Sequence, residues 1–201
     1  KLTTMKTNMD QKMKTSIFRY SAIIAGGMVS IVGIIVLIGW QFENELLKSV
    51  IPNAVSMKAN TAALFILSGV SLILLQYLNR YNIIVVRFFA SVIILIGIQS
   101  LLQNLFGWDI GLNQILYKEP LGTTGTSHPG LMALYTAINF ILIGLTLLIF
   151  SLKTIRYQYL TMFSLIFPLI TSAIALIGYF SGYVELAGPV AFTKMAVHTA
   201  G

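Results

Sequence analysis

The 201 residues include no cysteine, which excludes disulfides, thiolate metal sites and cysteine nucleophiles. Charge is scarce as well: 9% of residues are charged, against roughly a quarter in an ordinary soluble domain. A chain this poor in charge cannot cover a water-facing surface, so lipid must be the solvent for most of it. Acids are fewest, 6 against 13 Lys and Arg, and no apolar run carries a pair of them. Phosphate-binding glycine loops and nucleophile elbows are missing too, so no catalysis is expected in this segment.

What fills the chain is apolar, 57% hydrophobic with a mean hydropathy of +0.85. A helix needs about 20 apolar residues to cross the hydrocarbon core. Five uncharged runs meet that need: Tyr20–Trp40, Ala59–Asn79, Phe88–Trp108, Leu131–Leu152 and Tyr159–Tyr179. The first is too long for a signal-peptide core and lacks a small-residue cleavage site, which marks a retained anchor. Pro168 falls mid-run in the fifth and is expected to kink that helix, as packed bundles tolerate. The expected fold is an all-α integral membrane bundle, one membrane domain over 1–201. Five helices are present, and a sixth is expected to begin where the chain stops.

The net charge of +7 suits nucleic acid only until its distribution is read. One side of the bilayer receives Lys1, Lys6, Lys12, Lys14, Arg19, Arg80, Arg87, Lys153 and Arg156, with Asp10 the sole acid. The other receives Lys48, Lys58, Lys118 and Lys194 against Glu43, Glu45, Asp109, Glu119 and Glu185. The cation excess marks the cytoplasmic face and places the amino terminus there. Arg87, about a turn inside the third run, is expected to snorkel back to that face. The basic amino terminus is thus a topology signal and a contact for anionic lipid. No nucleic-acid partner is expected.

The strongest internal signal is a repeat over 20–80, 81–156 and 157–201, the last incomplete. Odd-numbered runs end in Leu37-Ile38-Gly39-Trp40, Leu105-Phe106-Gly107-Trp108 and Leu176-Ile177-Gly178-Tyr179. Even-numbered runs begin with Met57-x-x-x-Thr61-Ala62, Met132-x-x-x-Thr136-Ala137 and Met195-x-x-x-Thr199-Ala200. Beyond these, Phe65, Gly69 and Ser71 match Phe140, Gly144 and Thr146. Self-similarity of this kind predicts three helical hairpins around a common centre. The small residues suit close helix approach and the rings suit the interface. A purely scaffolding role accounts for the same pattern.

Chemistry has few places to sit. Before each repeated threonine stand Asn60, Tyr135 and His198, expected to converge near three helix amino termini as a pocket for a polar or anionic head group. Alternatively each caps its own helix. The third run adds Gln99, Ser100, Gln103 and Asn104, ended by Trp108, and Asn139 is placed to meet these amides. Amides at membrane depth face a bundle interior or a cavity, where they line a ligand site or bond helix to helix. The longest loop, from Asp109 to Gly130, is rich in glycine and threonine and reads as an ordered turn or a lid. Its His128, with His198, has no spacing that supports haem or another metal.

Several stretches taken together, Met57-Lys-Ala-Asn-Thr-Ala, Leu105-Phe-Gly-Trp-Asp-Ile-Gly-Leu, His128-Pro-Gly-Leu-Met-Ala and Phe192-Thr-Lys-Met-Ala-Val-His-Thr-Ala, resemble a known family. It is the multi-pass amino-terminal membrane region of bacterial signal transducers, whose cytoplasmic part carries PAS modules and a histidine kinase or diguanylate cyclase output. The resemblance covers roughly Trp40 to Gly201, and where family members usually carry asparagine before the second repeated threonine this chain has Tyr135. It implies a sensory domain of the bacterial inner membrane, working as a homodimer through the full-length protein. An aromatic, amide and histidine pocket in the outer leaflet suits a quinone, a lipid or another small amphiphile. Rival readings are a transporter or channel subunit, and a passive anchor.

Overall fold

The structure, a computed structural model, describes residues 2–49, 55–77, 79–109, 111–120, 128–152, 158–182 and 194–200. Regular structure among them is all helical: α1 (Leu2–Gln41), α2 (Glu45–Ser49), α3 (Ala59–Leu74), α4 (Arg80–Phe106), α5 (Leu134–Ser151), α6 (Gln158–Ser181) and α7 (Val197–Ala200). Four helices are long and apolar enough to cross a membrane: α1 over Ser16–Gln41, α4, α5, and α6 over Tyr159–Ser181. Their outer faces carry large apolar side chains in the open, with Phe163 and Leu169 of α6 68% and 71% exposed. Hydrocarbon solvates such a surface and water does not.

The second expected span differs. α3 has 16 residues, about 24 Å at 1.5 Å per residue and short of the ~30 Å core. Its end tightens: the Gln76 and Tyr77 N–H groups reach back three residues to the Ile73 and Leu74 carbonyls, both at 3.0 Å. Asn79, expected to close that span, opens the next helix instead. Its carboxamide oxygen accepts the Asn82 N–H at 2.7 Å, an N-cap that starts α4 at Arg80 rather than at Phe88.

Helix α1 lies along α3, α4 along α5, and α6 along α5, while α3 also touches α4 and α5. The shared core holds Leu64, Val86, Ala90, Ile93, Phe140 and Leu147. Phe65 and Phe140, matched positions in the sequence, meet edge to face at 5.8 Å in it. Small residues set the close contacts. A Cβ on Gly33 would lie 2.5 Å from the Ala62 carbonyl oxygen, and one on Gly26 would lie 2.6 Å from that of Gly69. Between α4 and α5, Gly97 abuts Ala137 and Gly144 abuts Ala90 in the same manner. Lipid tails give apolar helices little reason to associate, so close backbone packing has to supply it.

The two ends of the bundle differ in chemistry. At one, Arg87 donates from Nε to Ser151 Oγ at 3.2 Å and from Nη2 to the Ser151 carbonyl at 3.3 Å, closing the end of α5. Arg19 sits 4.7 Å from the centre of the Tyr77 ring there. The opposite end carries the starts of α3, α5 and α7 and the loop after α4. Gly107, which matches Gly39 in the sequence, packs on nothing; it ends α4 at φ 70° with its N–H on the Gln103 carbonyl. α6 runs as one helix through Pro168. The glycine and threonine stretch at 121–127, Lys153, Arg156 and Glu185 lie outside the described residues.

Candidate functional site

At the loop-bearing end, each Met-x-x-x-Thr copy opens a helix at the same register. α3, α5 and α7 begin at Ala59, Leu134 and Val197, each two residues after its methionine. The three methionine side chains are fully buried. Each methionine carbonyl is held by a side chain from the preceding long helix. Trp40 Nε1 donates to Met57 at 2.8 Å, Asn104 Nδ2 to Met132 at 3.1 Å, and Tyr179 Oη to Met195 at 2.6 Å. The carbonyls that precede α3 and α5 cannot be served by helical N–H groups, so indole and amide satisfy them.

These three starts meet. Thr61, Thr136 and Thr199, together with Met57 and Met132, line one cleft of about 10 Å³, room for a single water-sized species. Thr61 and Thr136 are each only 2% exposed. Neither of their hydroxyls has a hydrogen-bond partner among the described residues. Ser56, Lys58 and Lys194 complete the polar lining.

The loop after α4 is latched over this junction by a buried ion pair. Lys58 Nζ bonds Glu119 Oε1, with 3% and 1% of the two side chains exposed. Glu119 Oε2 also accepts the Gly130 N–H at 2.6 Å. Burial pushes the Lys58 ammonium below its usual range, and the Glu119 carboxylate pulls it back up. Asn60 Nδ2 adds a contact to the Gly130 carbonyl at 3.3 Å. Beneath the loop, Gln99 donates to Gln103 Oε1 at 3.2 Å and Asn113 donates to the same oxygen. Asn113 Oδ1 is buried with no partner among the described residues.

The expected site residues therefore separate into groups. Gln99, Gln103 and Asn104 gather at this end with Ser100, as the spacing suggested. Asn139 does not join them; it exchanges hydrogen bonds with Thr171 of α6 at 3.0 and 3.1 Å. Trp108 is 64% exposed, its ring tilted against Phe106 beyond the end of α4. Asn60, Tyr135 and His198 do not line the shared cleft. The next residue on each helix does, because successive side chains are rotated by about 100° and only one of the two can face the axis. Asn60 bonds Gly130, Tyr135 packs on the Ala133, Ala175 and Met195 cluster, and His198 Nδ1 is buried with no partner among the described residues.

Two features escaped sequence reasoning. The threonines carried a signal in their recurrence, which reads equally well as scaffold. The Lys58–Glu119 pair had none, since its members stand 61 residues apart. Among the described residues, no three His, Cys, Asp or Glu side chains form a group that could hold a metal ion. The chain was compared with models of protein families, with curated proteins and with solved structures, and it matches none of them. The arrangement itself offers hydrogen bonding, ion pairing and a junction of three chain segments.

Proposed function

We propose that this chain is a membrane-embedded sensory or regulatory domain of a bacterial signal transducer, built as three repeated hairpins. The arginine-bearing end faces the cytoplasm and the loop-bearing end faces outward. A small amphiphile, quinone-like or approaching from the outer face, binds at the loop-bearing end, which carries Gln103, Tyr135 and His198. Helix shifts then carry the signal to a cytoplasmic kinase or cyclase output in a homodimer. The observation that carries the reading is the meeting of the three Met-x-x-x-Thr copies at one cleft beneath a latched loop. Matched contacts of α1 with α3 and of α4 with α5 support the hairpin repeat.

The cleft of about 10 Å³ is far below a head group in size, so a ligand has to part the loop from the helices. Binding and movement are thereby one event. The test is purification of the full-length protein with analysis of extracted small molecules, alongside alanine at His198, Tyr135 and Gln103. A co-purifying amphiphile and variants that lose regulation are the expected result. No bound molecule and unchanged signalling would remove the ligand from the proposal, and substrate flux in liposomes would mark a transporter instead.

A further inference from the structure

The junction cleft is rich in donors and poor in free acceptors. Six carbonyls around it are occupied: Met57, Met132 and Met195 by the Trp40, Asn104 and Tyr179 side chains, and Lys58, Ala133 and Ala196 by the N–H groups of Ala62, Ala137 and Ala200. Its donors are partly free. At α3 the Asn60 carboxamide oxygen accepts the Thr61 N–H at 2.8 Å, whereas Ala133, which precedes α5, makes no side-chain cap, so the first turn of α5 keeps its positive pole open. Thr61 and Thr136, 2% exposed, line the same space with unpartnered hydroxyls. Lys58 is matched by Glu119, but Lys194 lines the cleft half-buried with no acid beside it among the described residues.

We propose that this cleft binds a small monovalent anion of halide size, chloride being the probe that tests it. An unpartnered hydroxyl can rotate its proton onto an anion, and the start of α5 with Lys194 supplies the positive field. A cleft of about 10 Å³ favours a monatomic anion over a polyatomic one. The site stands apart from the sensory reading, since an anion there would fasten the three chain segments whether or not an amphiphile binds above.

The experiment is a chloride titration of the full chain in detergent at constant ionic strength, followed by chlorine NMR line broadening. Saturable broadening that sulfate does not displace is expected. Thr61→Val with Thr136→Val should weaken it about tenfold or more, and Thr61→Ser with Thr136→Ser should keep it. If the valine pair fails to fold, Lys194→Gln is the substitute, with weaker chloride binding expected in a protein of unchanged helicity. Broadening that is absent in the wild type, unchanged in these variants or abolished by sulfate overturns the site. So does a bromide-soaked structure with water alone in the cleft.

Discussion

A lysine and a glutamate with 3% and 1% of their side chains exposed survive folding only as partners. Lys58→Met leaves the Glu119 carboxylate buried alone and is expected to cost about 3 kcal/mol or more. Lys58→Met with Glu119→Gln should cost clearly less, and thermal unfolding in detergent reads both. Equal losses would show that the loop is held by something else. The methionine carbonyls predict a smaller effect. Tyr179→Phe removes a single donor without changing shape and should cost about 1 kcal/mol, with Trp40→Phe similar or worse through lost packing. The amides Gln99 and Gln103 were legible in the sequence because a polar residue in an apolar run must find a partner nearby. Asn139 was legible as interior, yet its partner Thr171 was not, since that choice depends on which helix lies opposite.

Among the helices, the seam between α1 and α3 is set by backbone proximity. Gly33→Val would drive its side chain into the Ala62 carbonyl, 2.5 Å from the new Cβ, and is expected to cost about 1–3 kcal/mol or to separate the pair. Gly27→Ala is the control, because its Cβ would meet nothing within 4 Å. Should both variants unfold at the wild-type temperature, close packing there contributes little. The apolar runs announced the helices, whereas their ends depended on local hydrogen bonding. Asn79 could close one helix or cap the next, and hydropathy does not distinguish the two. α3 is short because Asn79 does the second.

Across the whole molecule, the proposed orientation rests on the distribution of charge. In a cysteine-free chain a single added thiol reports the side it faces. Lys118→Cys should react with a membrane-impermeant maleimide in intact cells, and Tyr81→Cys only after permeabilisation. The reverse pattern would invert the molecule and move the proposed ligand site to the cytoplasm. Residue order alone determined that most of this chain is helical and greasy, since with so few charges only hydrogen-bonded helices can meet lipid. It also marked the Met-x-x-x-Thr copies, each of which opens a helix two residues after its methionine. Tertiary packing decided the phase of each helix about its axis. That phase turned Thr61 and Thr136 inward in place of Asn60 and Tyr135, left Trp108 outside and brought Lys58 to Glu119. A hydropathy pattern fixes which residues avoid water; the neighbouring helix fixes which of them face each other.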